Sequence, residues 1–383
     1  MKGCFINSMK IIIDDKIPYI RGAFEGVAEV VYLPGSKTTP EIVKDADAIV
    51  TRTRTYCNEK LLAGSTVRFI ATATIGYDHI DTDYCAAAGI TWTNAPGCNS
   101  RSVEQYIASA LMVLAERKNL QFREICIGVV GVGNVGSKVA RFCNLLGMKV
   151  LQNDPPRERT EGSAAFVSMQ QIQDEADIIT LHVPLNMKGE DATFHLCNGT
   201  FLSSLKRKPV LINSCRGEVI ETNAVKEALK KGEISGLVCD CWENEPDLDL
   251  ELLEMSELAT PHIAGYSKDG KATGTRMSVE AINNFFRLGL NNWQPSGVEL
   301  PAHPLIELNG EGMDEQDIIS KAILSTYDIR NDDRLFRSDP SQFEQLRGDY
   351  PTRREFPAYT IVSKHIGDDV LNVLRNFGFN VKE

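Results

Sequence analysis

Three side chains in this sequence, Arg216, Glu245 and His262, each come a few residues after an apolar run that is typical of a buried strand. A planar arginine can hold a carboxylate through two parallel hydrogen bonds. A histidine, which titrates near neutral pH, can accept a hydroxyl proton while hydride leaves the same carbon. A nearby glutamate favours the protonated ring and orients it. Together they predict proton transfer from a hydroxyl group beside a carboxylate.

A glycine-rich loop directly follows the apolar run Ile125–Val130 and opens a helical pattern. The first glycine of such a loop permits a tight turn, the second lets the backbone approach a pyrophosphate, and the third lets helix and strand pack closely. The helix N-terminus then offers unpaired N–H groups to the anion. We therefore expect the loop to bind a dinucleotide through Gly131, Gly133, Asn134, Val135 and Gly136.

Asp154 follows the next apolar strand, Lys149–Asn153. A carboxylate at this position can accept both ribose hydroxyls of adenosine and would repel a 2′-phosphate. The sequence therefore favours NAD over NADP as the cofactor. Arg157, three residues further on, leaves NADP open as the alternative.

The glycine loop and three further motifs resemble the D-isomer-specific 2-hydroxyacid dehydrogenases. The three motifs are Asn213–Gly217, Trp242–Pro246 and Pro261–Gly265, and the resemblance extends over about residues 9 to 290. It implies an NAD-dependent dehydrogenase without a metal, whose substrate domain is split around an inserted NAD-binding domain. It also implies that the arginine, glutamate and histidine described above are the catalytic residues.

The resemblance carries further binding positions onto this chain. Cofactor contacts are expected at Asp240, at Gly265 and, through its backbone alone, at Val183, where the family often has threonine. Substrate contacts are expected at Arg52, Thr53, Thr74, Gly76 and Tyr266. Thr53 stands where serine is common and keeps the hydroxyl group. If the segment around Arg52 is extended, Arg52 and Arg54 face opposite sides and one of them faces solvent.

Other matches indicate one member of the family, which acts on a small phosphorylated 2-hydroxy acid. They include Thr72–His79 and Ala95–Asn99, and also Tyr327–Asp333 and Tyr350–Phe356 near the end of the chain. In that member the C-terminal domain mediates dimerisation. The resemblance therefore implies a homodimer.

The elements that must position these residues form an α/β pattern. Met9–Asp15, Ala48–Val50 and Phe69–Thr74 are typical of buried strands, and strands and helices alternate from about residue 125 to 240. We expect two Rossmann-like doubly wound parallel-sheet domains, one for substrate and one for NAD, and a small C-terminal α+β dimerisation domain. Their expected bounds are 1–101 with 266–298 for the substrate domain, 102–265 for the NAD-binding domain and 299–383 for the C-terminal domain.

Composition excludes several classes of protein. The 383 residues are 43% hydrophobic, which is enough for sizeable cores and excludes wholesale disorder. The net charge of −11 makes nucleic acid an unfavourable partner. There is no apolar run of membrane-spanning length and no pattern of a signal peptide, so we expect no membrane association and a cytoplasmic location. The ten cysteines are scattered through apolar segments and are expected to be reduced.

The last eighty residues contain apolar positions at helical spacing, namely Ile318, Ile319, Ala322 and Ile323. A domain of this size covers only part of its apolar surface, so we expect these side chains to pack against a second copy of the chain. The alternative is a tail that folds back on its own chain in a monomer. Arg353 and Arg354 are candidates for a substrate phosphate, although an ordinary salt-bridge role is the favoured interpretation for both.

Two other functions are compatible with the motifs. One is a 3-phosphoglycerate dehydrogenase or another D-2-hydroxyacid dehydrogenase; 3-phosphoglycerate carries the same functional groups on a chain one carbon shorter. The other is a binding protein that uses the fold as an NAD-responsive scaffold, because fold alone does not fix function. The complete set of arginine, glutamate and histidine favours an enzyme.

Overall fold

The computed structural model describes residues 9–382. The chain forms two compact units: a first unit of residues up to 99 with 268–299, and a second unit of residues 100–267 with those from 300 onward. The C-terminal segment thus belongs to the same unit as the predicted NAD-binding domain, and the division into three domains remains a prediction. Within residues 9–382, no helix is both long and apolar enough to cross a membrane.

The first unit is built on a five-stranded parallel sheet with the order β2-β1-β3-β4-β5. Its strands are β1 (Lys10–Asp14), β2 (Glu29–Leu33), β3 (Ala48–Thr51), β4 (Phe69–Thr72) and β5 (Thr91–Thr93). Its helices are Pro40–Val43, Glu59–Leu62, Thr82–Ala87 and Lys268–Phe286.

Both faces of this sheet are covered, because successive residues of a strand point to opposite sides. Ile11 and Ile13 of β1 pack in a cluster with Val279 and Ile282 of the helix Lys268–Phe286. Ile12, between them, packs in a separate cluster on the other face. Runs of isoleucine and valine, rather than alternation with polar residues, are therefore what these buried strands require.

The second unit contains a six-stranded parallel sheet with the order β11-β10-β9-β8-β6-β7. Its strands are β6 (Cys126–Val130), β7 (Lys149–Asn153), β8 (Ile178–Leu181), β9 (Val210–Asn213), β10 (Gly236–Cys239) and β11 (Leu258–Ala259). The helices around it are Ser100–Lys118, Gly136–Leu145, Pro155–Glu161, Met169–Glu175, Gly199–Ser203, Thr222–Lys231 and Leu250–Met255.

The C-terminal segment adds a small parallel sheet with the order β12-β13-β14. Its strands are β12 (Leu305–Asn309), β13 (Thr360–Lys364) and β14 (Asn380–Lys382), and its helices are Glu315–Thr326, Ile329–Ser338, Phe343–Gly348 and Asp368–Phe377. The two doubly wound sheets and this smaller sheet confirm the predicted fold class.

The helix Ser100–Lys118 is the centre of the second unit. Of its 19 residues, 15 are buried, because the large sheet covers one side and the C-terminal segment covers another. Gln105 donates hydrogen bonds to Thr326 Oγ1 (3.1 Å) and to the carbonyl of Arg354 (2.9 Å), and Ser109 Oγ accepts one from the Ile329 N–H (3.0 Å). The helix begins at Ser100, directly after the last residue of the first unit's N-terminal part, and it is a core element of the second unit.

The expectation that the apolar helical positions of the tail stay uncovered is wrong. Ile318, Ile319, Ala322 and Ile323 are at most 6% exposed and pack within the chain's own core. They share this core with apolar residues of the C-terminal segment itself, such as Leu308 and Leu374, and with the helix Ser100–Lys118. A dimer through this segment must therefore use other residues.

Five strands are not predicted individually from the sequence: β2 and β5 in the first unit, and β12, β13 and β14 in the C-terminal segment. The first two are edge strands whose residues are partly exposed, so their apolar runs are interrupted. The strand predicted before His262 is present as β11, but it has only two residues. Of the ten predicted reduced cysteines, nine lie among the described residues, and all nine are free thiols, eight of them buried; Cys4 lies outside the described residues.

Candidate active site

The residues predicted to act in the second unit all follow the carboxyl ends of strands in one sheet. His262 follows β11, Glu245 follows β10 and Arg216 follows β9. The next three strands of the sheet, β8, β6 and β7, lead into Val183, Gly131 and Asp154 in that order. Three predicted catalytic residues thus follow three adjacent strands, and three predicted cofactor contacts follow the other three. Ligands of doubly wound sheets bind at this edge.

The three glycines of the loop have distinct conformational roles. Gly131 has a φ of 84°, and a Cβ atom there would lie 2.7 Å from the carbonyl oxygen of His182. A Cβ atom on Gly136 would lie 1.9 Å from the carbonyl oxygen of Gly131. A Cβ atom on Gly133 would meet no described atom within 4 Å, so its backbone faces open space. The first and third glycines are required by close packing, and the second leaves room for an anion.

The remaining loop residues lead into the helix Gly136–Leu145. Val135 precedes the first turn of this helix, and no described side chain accepts hydrogen bonds from the N–H groups of that turn. Asn134 accepts a hydrogen bond from Lys138 Nζ through its carbonyl oxygen (3.2 Å). The uncapped helix start is suited to bind a negatively charged group.

Asp154 joins the glycine loop to the following helix. Its Oδ2 accepts a hydrogen bond from the Val132 N–H (2.8 Å), and its Oδ1 accepts one from the Arg157 N–H (3.1 Å) and so caps the helix Pro155–Glu161. The Arg157 guanidinium donates two hydrogen bonds of 2.7 Å to Glu161 and one to the carbonyl of Val132. Arg157 is therefore committed to protein partners, which weakens the NADP alternative.

A cavity of about 400 Å³ lies beside this loop. Its wall includes Gly131, Asp154 and Val183, and it is completed by Met169, Pro184, Leu196 and the segment around Thr193. The lining is largely apolar and also includes four acidic residues, namely Asp154, Glu158, Glu190 and Asp191. An apolar wall with a carboxylate for the ribose hydroxyls suits an adenosine group. These residues fit the predicted cofactor.

His262 and Glu245 form a hydrogen-bonded pair, with 2.8 Å between Nδ1 and Oε2. The second oxygen of Glu245 accepts a hydrogen bond from the Trp242 N–H (2.8 Å), so the carboxylate is held from both sides. An ionised carboxylate only accepts hydrogen bonds, so Nδ1 carries the proton and Nε2 of the neutral ring is an acceptor. Both side chains keep partial exposure, 30% for His262 and 20% for Glu245.

Asp240 holds the backbone of the loop that carries His262. Its Oδ1 accepts hydrogen bonds from Thr260 Oγ1 (2.7 Å) and the Ile263 N–H (2.8 Å), and its Oδ2 accepts one from the Ala264 N–H (3.0 Å). Burial raises the pKa of Asp240, and the charge of His262 and these donors oppose that rise. Since the side chain is fully buried and these three donors already bind it, its expected cofactor contact remains a prediction.

Arg216 is exposed at the end of β9, and its position depends on two neighbours. The buried Asn213 side chain donates hydrogen bonds to the carbonyls of Arg216 (3.0 Å) and Cys241 (3.1 Å), which links the two segments. Gly217 lies so close to Trp242 that a Cβ atom would be 2.0 Å from that residue's carbonyl carbon and oxygen. The arginine and glutamate segments are therefore packed against each other.

Arg353, from the C-terminal segment, contacts the histidine loop, which is the segment Pro261–Gly265. It is 4% exposed and donates hydrogen bonds to Ser102 and to the carbonyl oxygen of Ala264, and its Cζ lies 4.5 Å from the ring centroid of Tyr327. Its Nε is buried without a hydrogen-bond partner among the described residues, but at 4% exposure the guanidinium is closed off from solvent, which weakens the suggestion that Arg353 binds a substrate phosphate. Gly265, next to Ala264, lies in a loop that the C-terminal segment contacts.

The predicted substrate contacts of the first unit follow β3 and β4, which are neighbouring strands with Thr51 opposite Thr72. Thr74 Oγ1 donates to the carbonyl of Gly76 (2.8 Å). Arg52 donates to the carbonyl of Lys16 (3.0 Å). Thr53 and Arg54 are exposed in a turn rather than in extended chain, so the argument from opposite faces of a strand does not apply.

Tyr266, the predicted substrate contact of the second unit, directly follows the histidine loop. Its ring lies 5.8 Å from that of Tyr350, and Arg347 Cζ lies 5.9 Å from the Tyr266 ring centroid. Sequence reasoning missed Arg347, because a single arginine in a short helix carries no signal of what it contacts. Cys241, Glu245 and His262 also have possible metal-binding atoms within 4.8 Å of one another. The expectation that no metal is bound remains a prediction.

Comparison with known proteins identifies relatives along most of the chain. The family model described as "D-isomer specific 2-hydroxyacid dehydrogenase, NAD binding domain" matches residues 104–264, and a model described as a domain of unknown function matches residues 299–378. An erythronate-4-phosphate dehydrogenase of Bacteroides fragilis is 54% identical over 92% of this chain and 99% of its own. The corresponding protein of Porphyromonas gingivalis is 42% identical over 92% of this chain and 95% of its own.

Solved structures show the same fold. A D-lactate dehydrogenase of Aquifex aeolicus, complexed with NAD and lactic acid, has a TM-score of 0.58 at 26% identity and covers 76% of this chain and 100% of its own. An apo D-mandelate dehydrogenase of Rhodotorula graminis has a TM-score of 0.61 at 20% identity and covers 76% of this chain and 98% of its own.

Proposed function

Since the chain belongs to the D-isomer specific 2-hydroxyacid dehydrogenase family, we propose that it oxidises 4-phospho-D-erythronate at C2. The chain is an NAD-dependent dehydrogenase, and the proposed product is (R)-3-hydroxy-2-oxo-4-phosphobutanoate, in the synthesis of pyridoxal 5′-phosphate. The observation that carries the proposal is the hydrogen-bonded pair of His262 and Glu245 beside the Arg216 segment, at the strand ends of a sheet that also carries the glycine loop.

NAD is the cofactor, and the residues present fit it. The open backbone at Gly133 and the uncapped helix start would hold the pyrophosphate, and Asp154 beside the cavity of about 400 Å³ would hold the adenosine ribose. When bound, NAD supplies the acceptor for the hydride that leaves C2.

His262 is the proposed general base. Its Nε2 accepts the proton of the C2 hydroxyl as the C2–H bond breaks and the carbonyl forms, and in the reverse direction the same nitrogen donates that proton. Glu245 accepts from Nδ1 at 2.8 Å and stabilises the imidazolium that forms. The pair needs no rearrangement, because the Trp242 N–H already fixes Glu245.

Arg216 is proposed to hold the substrate carboxylate and to polarise the forming carbonyl group. Its guanidinium can form two parallel hydrogen bonds with a carboxylate, which orients C2 toward His262. Tyr266 from the same unit, and Arg52, Thr53, Thr74 and Gly76 from the first unit, complete the proposed substrate contacts.

Steady-state NADH absorbance with purified protein tests the function. We expect turnover of 4-phospho-D-erythronate with NAD, and a kcat/KM far above that for 3-phosphoglycerate. A higher kcat/KM with 3-phosphoglycerate would support the alternative dehydrogenase. If no NADH formed with either acid or with other D-2-hydroxy acids, the result would favour the NAD-responsive binding protein over the enzyme.

Asp154 is proposed to select NAD over NADP. Replacing it with alanine should raise the KM for NAD and reduce discrimination against NADP, because the carboxylate that repels a 2′-phosphate is lost. The measurement is the ratio of kcat/KM for the two cofactors. An unchanged ratio would move the selection to another residue, with Arg157 the first to examine.

A homodimer through the C-terminal segment and a cytoplasmic location complete the proposal. Leu305 and Leu335 support the dimer, since they are 60% and 53% exposed on this segment, and the free cysteines suit a reducing compartment. Light scattering should give a dimer for the wild-type chain and a monomer for Leu335→Glu or Leu305→Glu. Truncation near residue 300 is unsuitable, because it would uncover the helix Ser100–Lys118. A wild-type monomer, or variants that dimerise as tightly as the wild type, would contradict this interface.

A further inference from the structure

Arg347 lies in the helix Phe343–Gly348, beside a proposed substrate contact. Its Cζ lies 5.9 Å from the ring centroid of Tyr266 and 5.3 Å from that of Phe343. The side chain is 24% exposed, and Nη1 donates to Glu344 Oε1 at 3.1 Å, a carboxylate that is itself 63% exposed. The guanidinium is thus held against aromatic rings while part of it remains accessible.

One donor of this guanidinium is unsatisfied. Among residues 9–382, Arg347 Nε is buried and has no hydrogen-bond partner. A buried donor without an acceptor destabilises the fold, so such groups usually have a partner. An acceptor supplied by a ligand would remove that destabilisation.

The surroundings of Arg347 connect it to the reacting groups. Burial lowers its pKa, but interactions with Tyr266, Glu344 and the catalytic Glu245 outweigh burial and raise the pKa, so the guanidinium stays charged. Within the second unit, Arg347 is therefore a fixed cation that interacts with both a proposed catalytic residue and a proposed substrate contact.

The proposed substrate needs more than one cation. It carries two negatively charged groups, a carboxylate, which is assigned above to Arg216, and a phosphate. The protein itself has a net charge of −11, so a local cation is needed for each group. Arg353 also has a buried Nε without a hydrogen-bond partner in the part of the chain that the structure describes, but its side chain is only 4% exposed and donates to Ser102 and Ala264, whereas Arg347 keeps 24% exposure. Arg52 already donates one hydrogen bond to a backbone carbonyl.

We propose that Arg347 binds the phosphate group of the substrate, with Nε and an Nη group as paired donors. This inference rests on the proposed function, since it requires a phosphorylated hydroxy acid. It gives the C-terminal segment a direct part in substrate selection, in addition to its support of the histidine loop.

The test compares phosphorylated and unphosphorylated substrates in Arg347→Gln. The ratio of kcat/KM for 4-phospho-D-erythronate to that for D-erythronate should fall by about 10- to 100-fold, because a charged hydrogen bond contributes roughly 1.5–3 kcal/mol. The KM for NAD should not change. Arg347→Lys should recover part of the ratio, since lysine keeps the charge but not the paired donors.

Arg330→Gln is the matched control, because Arg330 lies in the same segment but pairs with Asp328 and Glu116. Its ratio should equal that of the wild type. If turnover of D-erythronate is too slow to measure, competition by inorganic phosphate supplies the ratio instead, and its inhibition constant should rise at least about 10-fold in Arg347→Gln.

An equal loss with both substrates would mean that Arg347 only positions Tyr266 or Glu245, and the inference would be wrong. An unchanged ratio and an unchanged phosphate inhibition constant would also overturn it. If Arg347→Gln fails to fold, the ratio of kcat/KM for the two substrates in Arg347→Lys takes its place, and an unchanged ratio there would overturn the inference. A wild-type protein that does not oxidise 4-phospho-D-erythronate would instead contradict the proposed function itself, so the two failures can be distinguished.

Discussion

The second unit contains two histidine–glutamate pairs that have nearly the same hydrogen-bond length and the same exposure of the histidine. His262 lies 2.8 Å from Glu245, and His195 lies 2.6 Å from Glu243. The histidines are 30% and 31% exposed. In each pair the second carboxylate oxygen accepts a backbone N–H, from Trp242 in one case and Thr222 in the other.

The pairs differ in the ring nitrogen that the glutamate occupies. Glu245 binds Nδ1 of His262 and leaves Nε2, the outer nitrogen, for a substrate. Glu243 binds Nε2 of His195, and the His195 ring stacks on Phe194 with 4.0 Å between centroids. Proximity to a carboxylate therefore does not distinguish the proposed base from His195, whereas the ring nitrogen that hydrogen-bonds the glutamate does differ between them.

The largest expected effect separates the two histidines directly. His262→Ala should lower kcat by about 10²- to 10⁴-fold at saturating substrate, because positioned acid–base catalysis is lost. His195→Ala should leave kcat within about two-fold of the wild-type value. Its ring packs on Phe194 and hydrogen-bonds Glu243, and the loss of these contacts affects stability more than the reaction. Steady-state kinetics measures both. Normal turnover by His262→Ala would contradict the assignment of the base.

Gly217→Ala should disturb both pairs together. The added Cβ would lie 2.0 Å from Trp242 carbonyl atoms and 2.5 Å from the Glu243 nitrogen, and this backbone leads into both glutamates. A displacement of about 1 Å at a catalytic group can cost about 100-fold in rate, so we expect a loss of that order and a lower Tm. Gly199→Ala is the control, because a Cβ there meets no described atom within 4 Å. Wild-type kcat in Gly217→Ala would show that the segment tolerates displacement.

The difference in kcat between the two glutamate variants should be smaller than that between the two histidine variants. Glu245→Gln keeps the shape but removes the charge that stabilises the imidazolium, and a charged hydrogen bond of roughly 1.5–3 kcal/mol corresponds to about a 10- to 100-fold fall in kcat. Glu243→Gln should change kcat by less than about two-fold, because Glu243 holds no reacting group. Equal losses in the two variants, measured at saturating NAD, would remove the distinction between the pairs.

The smallest effect concerns stability and pH. Burial raises the pKa of Glu243, but hydrogen bonds from Thr222 and His195 outweigh it, so the pKa lies below its usual 4.5. A lowered carboxylate pKa stabilises the fold above pH 4.5, and this contribution disappears as the pH falls through the folded-state pKa. Glu243→Gln should therefore cost about 1 kcal/mol in denaturant unfolding at pH 7 and progressively less on acidification. A difference that grows toward acid pH would contradict this account.

Much of this site could be predicted from sequence, since its residues follow apolar strands that are recognisable one by one. The predicted family, NAD cofactor and fold class are confirmed. The contacts of Arg347 and Arg353 could not be predicted, because each depends on a helix and a loop that are remote in sequence. The burial of Ile318 and Ile323 was missed for the same reason: helical spacing indicates an apolar face but not its partner.

The packing of the C-terminal segment on the helix Ser100–Lys118 also determines when the chain can fold during synthesis. A ribosome that has completed the six-stranded sheet has not yet made the side chains that cover this helix or the Arg353 that holds the Ala264 carbonyl. The first unit likewise waits for the helix Lys268–Phe286. Neither unit can reach its final packing while only the first half of the chain exists. We therefore expect the nascent protein to expose apolar helix and sheet surface until late in translation, and exposed surface of this kind favours aggregation.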